Sequence, residues 1–204
     1  MGKFGLALHT SSPALGLAIG DGLGETRFQA WDLGRETSNY LHPYLLEFLA
    51  PQTWQELAWI AVVKGPGGFT GTRLGVVTAR TLAQQLNLPL FPISSLAAIA
   101  QTATDEGTIA ISMSAQRGEI YGAVYHQQAR SQTTILPDRI FSPADWESKI
   151  DTLQPDYHRI IPQSDNLAAS VTGVWELAYA AYSAGDRPDW AMGLPFYGQD
   201  PVIK

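Results

Sequence analysis

Hydrophobic and polar positions change period along the chain, and each change marks a new kind of element. The segments "KFGLALHT", "ALGLAIGD" and "TRFQAWDL" read as three strands. Short connections rich in Gly, Ser and Pro join them, so they form an antiparallel meander. The period then becomes helical. In "TSNYLHPYLLEFLA", Leu41, Tyr44, Leu45, Phe48 and Leu49 fall at i, i+3, i+4, i+7 and i+8 and make one apolar face. Thr37 or Ser38 is the expected N-cap, and Pro43 is placed in the first turns, where its missing N–H costs least. Next come a strand "LAWIAVV", a glycine-rich loop and a helix over 70–86, ended by Asn87 and Pro89. A short strand "LFPIS" and a short helix "SSLAAIAQTA" complete the set.

The order βββ-α-β-α-β-α predicts a mixed five-stranded sheet with helices on its faces, because parallel strands need right-handed crossovers. A second antiparallel triplet follows in "TIAISMSA", "GEIYGAVYHQ" and "QTTILPDRIF". After it come a weak helix "PADWESKI", a short strand "HRIIP" and a helix around "WELAYAAYSAG". The second half reads as a shortened copy of the first. The expected fold class is therefore α/β, an actin-like, ribonuclease-H-like body of two lobes. Residues 1–104 are expected to form the first lobe and 105–204 a degenerate second one.

Composition narrows the function classes. Charged residues are 16% of the chain, below the ~25% of typical soluble domains. A weakly charged, apolar surface points to cover by a partner. The net charge of −6 is opposite to the basic surface of a protein that grips nucleic acid alone. With no cysteine, disulfides, thiolate metal sites and thiol nucleophiles are excluded. The N-terminus carries no secretory pattern, and no apolar run approaches the ~20 residues of a spanning helix. A cytoplasmic location without a membrane role is expected.

The stretch "KGPGGFTGTRLGVVTAR" raises the question of phosphate binding. Gly65, Gly67, Gly68 and Gly71 lie between a strand and a helix, where backbone amides suit an anion. The specific signatures fail. Thr72-Arg73 follow Gly71 where a Walker A loop needs Lys-Ser or Lys-Thr, and Thr70 occupies the third glycine position of the dinucleotide pattern. A tight strand-to-helix turn and a nucleotide cradle both remain open. On the helix behind the loop, Gly71, Gly75 and Ala79 repeat every fourth residue. Leu74, Val77, Thr78 and Thr81 form an adjoining face, and Arg73, Arg80 and Gln84 a polar edge. Such a helix is covered on two sides, either internally or by a partner.

Residues for catalysis are sparse. An ATPase of this architecture needs carboxylates at the ends of its first strands to place magnesium and water. Between positions 57 and 104 there is no Asp or Glu. The turn "SAQRGE" offers Glu119, read as ion-paired with Arg117 or solvated. The four histidines have no metal-ligand spacing, and no G-x-S-x-G elbow occurs. His9 is read as a hydrogen-bonded side chain at a strand end, or as a lone acid–base. No catalytic residue, metal or cofactor is expected.

The segments "LALHTS", "KGPGGFTGTRLGVVTARTLAQQL", "PISSLAAIA", "AQRGEIYGAVY" and "LPFYGQDPV" resemble the bacterial TsaB (YeaZ) family. The resemblance implies a non-catalytic subunit for threonylcarbamoyl modification of the tRNA adenosine next to the anticodon. It implies pairing with a catalytic paralogue, TsaD, through first-lobe helices, with a TsaE-type ATPase joining. It further implies homodimers when TsaD is absent, and tRNA contact only through the complex. Carried over by position, the partner surface comprises Leu41, Tyr44, Leu45 and Phe48, with Thr70, Arg73, Leu74, Val77, Thr78 and Thr81. His9 and Ser114 stand where the family usually has Asp. A nucleotide-binding ATPase or phosphotransferase using the glycine loop is the competing expectation.

Overall fold

The computed structural model describes residues 3–104, 106–128, 131–153, 156–163 and 167–198. Strands β1 (Phe4–His9), β2 (Ala14–Gly20) and β3 (Thr26–Asp32) form the expected meander. Helix α1 (Thr37–Leu49), β4 (Leu57–Val63), α2 (Phe69–Leu86), β5 (Leu90–Ile93) and α3 (Ser95–Gln101) follow. The sheet order is β3-β2-β1-β4-β5. β1 pairs antiparallel with β2 and parallel with β4, as a ribonuclease-H-like sheet requires. Helix α2 ends at Asn87 in a left-handed conformation that asparagine tolerates well. Helix α1 has no side-chain cap. Its first residue, Thr37, instead donates its hydroxyl to the Pro13 and Gly34 carbonyls.

The second set contains β6 (Gly107–Ser114), β7 (Ile120–Gln128), β8 (Ser131–Phe141), α4 (Pro143–Ile150), β9 (Tyr157–Ile160) and α5 (Val171–Ser183). Its sheet runs β8-β7-β6-β9, the first plan without a fifth strand. The fold is the two-lobed, actin-like α/β arrangement read from the element order.

Two helices, α3 and α5, do not stay with the strands that precede them. Large side chains of β1 and β2 (Leu6, Leu8, Leu15, Leu17) point to one face and pack with Leu41, Leu45 and Val76 of α1 and α2. The intervening positions are small, including Ala7 and Ala18, and they receive α5 through Val171, Val174, Trp175 and Ala178. The indole N–H of Trp175 donates to the Gly5 carbonyl at 2.9 Å. Helix α3 meanwhile sends Leu96 and Ala100 into the second sheet, against Ile109, Ile111 and Tyr125. The two helices touch backbone to backbone: a β-carbon on Gly173 of α5 would lie 2.2 Å from the Ala98 carbonyl of α3. The Gln101 amide donates to Glu176 alongside. Each central helix thus covers the other lobe's sheet or joins the two. Trp146 and Ile150 of α4 close the outer face of the second sheet.

Candidate functional site: an interlobe cleft and an exposed helix face

The C-terminal ends of β1 and β4 meet the end of β6 across a cleft of about 1000 Å³. The first-lobe wall is built by the turn after β1 and the glycine loop after β4. They fit together through backbone contacts. The Gly68 N–H donates to the Ser11 carbonyl at 2.7 Å, and the Thr10 hydroxyl donates to the Gly71 carbonyl at 2.8 Å. A β-carbon on Gly67 would come within 2.4 Å of the Ser11 carbonyl, and one on Gly71 within 2.0 Å of the Thr10 carbonyl. The small residues therefore answer the close seating of α2 on the β1–β2 turn. Gly65 bends the entering chain with φ +105. Of the glycine loop's amides, that of Gly68 is already engaged by protein.

The opposite wall carries exposed Ser114 and the turn from Ala115 to Glu119, in which Arg117 has a left-handed φ of 59. Glu119 is the one carboxylate among the described residues that line the cleft. Among the described residues no three His, Asp or Glu side chains cluster in a metal-holding geometry.

His9 departs from both readings of it. Its side chain is fully buried, and neither ring nitrogen has a hydrogen-bond partner. Burial pushes its pKa down to about 3, so the imidazole is neutral. It lines neither the cleft nor any acid–base pair.

The expected partner surface divides in two. Leu41 and Leu45 are 0% and 2% exposed, and Phe48 and Thr78 are also buried. Leu41, Leu45 and Phe48 belong to the first-lobe core, because the apolar stripe of α1 faces its own sheet. Leu41, Leu45, Phe48 and Thr78 are therefore corrected from surface to interior. Tyr44 is half-buried and stacks on Trp31, with ring centroids 5.0 Å apart. The outward side of α1 carries Tyr40, expected from its aromatic neighbours to belong to a docking patch, and Leu46, which the sequence reading missed; Leu46 is 60% exposed. On α2, Thr70, Arg73, Val77 and Thr81 are exposed and Leu74 is half-buried. Val77 is 61% exposed. Arg73 lies over the Phe69 ring and Arg80 over Trp190, so these cations stack on aromatics.

Sequence reasoning also missed a polar set that joins the lobes. The Tyr125 hydroxyl donates to Asp138 at 2.7 Å, within reach of Ser94, the N-cap of α3. Burial raises the pKa of Asp138 and, more strongly, that of Tyr125. Tyr125 closes the segment "AQRGEIYGAVY", and Asp138 belongs to no motif visible in the sequence.

Comparison with known proteins places this arrangement. The model of the TsaD family, tRNA N6-adenosine threonylcarbamoyltransferase, matches residues 38–181. The tRNA threonylcarbamoyladenosine biosynthesis protein TsaB of Haemophilus influenzae is 32% identical over 165 residues, covering 74% of this chain and 68% of that protein. The chain belongs to the TsaB family. The Bacillus subtilis TsaB protein is 38% identical over 93 residues, a match spanning 45% of this chain and 41% of that protein's length. The solved YeaZ structure from Pseudomonas aeruginosa shares the fold, with a TM-score of 0.75 at 23% identity over 97% of this chain and 100% of that one. The TsaB relatives are named for a biosynthetic process that modifies tRNA. No helix among the described residues is long and apolar enough to cross a membrane. Of the family's closing segment, Pro195 to Gly198 lie in the structure; Gln199, Asp200, Pro201 and Val202 fall outside the described residues.

Proposed function

We propose that this TsaB-family chain is a non-catalytic subunit in threonylcarbamoyladenosine formation on tRNA, acting by docking to a TsaD-type catalytic paralogue. The observation that carries this reading is the cleft: an actin-like body whose described cleft lining holds one carboxylate, Glu119. Magnesium-assisted phosphoryl chemistry relies on acidic side chains to hold the ion. The docking face is the outward side of α1 and α2, with Tyr40, Tyr44, Thr70, Arg73, Leu74, Val77 and Thr81. Its support is the exposed apolar area of Val77 and Tyr40, flanked by polar residues. A TsaE-type ATPase joins the assembled pair, tRNA is met through the complex, and the same face pairs two copies when the paralogue is absent.

The test is Val77→Arg, which puts a charge into the middle of that face. Co-elution with a TsaD-type protein on size exclusion is expected to be lost, while the thermal midpoint of the single chain stays unchanged. Undiminished co-elution would refute the face. The competing reading is a nucleotide-binding phosphotransferase. It draws support from the N-terminus of α2, since Gly67, Gly68 and Phe69 lie on the cleft wall. Calorimetry with ATP and magnesium decides between them: heat of binding, abolished by Gly67→Val, would favour the phosphotransferase.

A further inference from the structure

The chain does not end at α5. After Ser183 it returns along the edge of the first sheet, where the Pro188 carbonyl accepts the Leu90 N–H at 3.1 Å. Trp190 packs on the first-lobe core beneath Arg80. From there residues 194–198 cross into the interlobe cleft, and Phe196, Tyr197 and Gly198 form part of its lining.

This crossing has anchors on both sides. On the first lobe the Phe196 N–H donates to the Lys64 carbonyl at 2.7 Å. The Tyr197 ring lies 4.8 Å from that of Phe69, the first residue of α2. On the second lobe the Tyr121 hydroxyl donates to the Tyr197 carbonyl at 3.1 Å. Gly198, at φ +67, sits so close to β7 and β8 that a β-carbon would lie 2.7 Å from Tyr121 and 2.9 Å from Ile140. Phe196 also lines a smaller interlobe cavity of about 350 Å³, shared with Lys64, Ser94, Tyr125 and Asp138.

We propose that residues 194–198 are a strap that ties the two lobes across the cleft and fixes its width. The mechanical argument is one of position. The lobes are also joined by the α3–α5 contact, which is made of packed helix backbones and resists sliding. A cleft flanked by such a contact opens by rotation about it, and the strap spans the cleft itself. Its anchors are two hydrogen bonds and aromatic contacts rather than a closed core, so it is weaker than the α3–α5 contact and yields before it. The strap also occupies volume beside the glycine loop, so it limits what enters there. The inference does not depend on the docking face proposed above.

The absence of cysteine allows a direct measurement. Gln55→Cys lies before β4 in the first lobe and Ser148→Cys on α4 in the second; both native residues are exposed. Nitroxides on this pair, in samples diluted with unlabelled protein, report the interlobe distance by pulsed electron spin resonance. In the otherwise unaltered chain a single narrow distribution is expected. Phe196→Ala with Tyr197→Ala is expected to move it to longer distance and broaden it. Hydrogen exchange should rise on both cleft walls, around 64–72 and 114–121, while α1 keeps its protection. A folded double variant with an unchanged distribution overturns the strap. Should the double variant fail to fold, Gly198→Val decides. It forces the strap off Tyr121 and Ile140 without removing any core side chain, and the same lengthening is expected. An unchanged distribution in that variant also overturns the proposal.

Discussion

Every residue of β1 and β2 is buried, whereas their counterparts β6 and β7 have exposed or half-buried residues at both ends; the outer strands β3 and β8 are alike in having none buried. The two sheets share one strand plan, so the difference lies in what covers them. The first is packed between α1 and α2, of 13 and 18 residues, on one face and α5, of 13 residues, on the other. The second has the seven-residue α3 and the eight-residue α4. Apolar area removed from water scales with helix length, so the first lobe is the rigid platform. The comparison teaches that the copy kept well covered is the one that presents α1 and α2 outward. The thinner copy supplies the far wall of the cleft.

The strongest way to break this comparison is to break the platform. Leu45 is 2% exposed inside the first core. Leu45→Ala is expected to cost about 2–5 kcal/mol, as buried leucine truncations do. Leu45→Asp adds an unpaired buried charge and is expected to prevent folding of the first lobe. Urea unfolding followed by circular dichroism checks the first, and soluble yield the second. A folded Leu45→Asp chain would mean that α1 is not part of the core.

That result bears on how much the sequence made legible. Strand order and helix positions followed from periodicity, because periods of 2 and 3.6 are written locally. The side of α1 that faces outward did not follow. Leu41, Leu45 and Phe48 form its strongest stripe, and a stripe marks the buried face of a helix whether the cover is its own sheet or a partner. On α2 the period identified Val77 and Thr81, which are exposed, together with Thr78, which is buried. A tight turn is one of the two readings that the glycines allow; their particular neighbours, the Thr10 and Ser11 carbonyls, arise from tertiary packing. The return of α5 to the first sheet had one local trace. Small residues alternate with leucine along β1 and β2, as at Ala7 and Ala18, leaving room for a close helix. The strap and the contact of the Tyr125–Asp138 pair with Ser94 had none, since each joins the two halves of the chain.

A second, smaller effect sharpens the comparison through pH. His9 sits at the end of β1 with both nitrogens unpaired and its pKa lowered from 6.5 to about 3 by burial. In the unfolded chain the imidazole takes a proton as pH falls below 6.5; in the folded chain it does not until near 3. Its contribution is therefore fully present above pH 6.5 and is lost as pH falls toward 3. By pH 5 the loss amounts to about 2 kcal/mol. His9→Leu removes the titrating group, so the difference in unfolding free energy between parent and variant should vary between pH 7 and 5 by that amount. Parallel curves over this range would show that His9 gains a proton acceptor or water that the packing does not reveal.

The smallest expected effect lies on the second lobe. Arg159 of β9 meets Glu147 of α4 through two hydrogen bonds, Nη1 to Oε2 at 2.9 Å and Nη2 to Oε1. The hydrogen bond from Arg159 holds the Glu147 carboxyl below its ordinary pKa. The side chains are 38% and 49% exposed, so water and salt screen the attraction, and ordering two long side chains offsets much of the rest. Arg159→Gln is expected to leave the urea midpoint unchanged at physiological salt. Faster hydrogen exchange should be confined to β9, the edge strand that the pair ties to α4. A midpoint shift as large as that of Leu45→Ala would place the stability-limiting contacts in the second lobe. The first sheet's deeper burial would then have no bearing on which part of the molecule unfolds first.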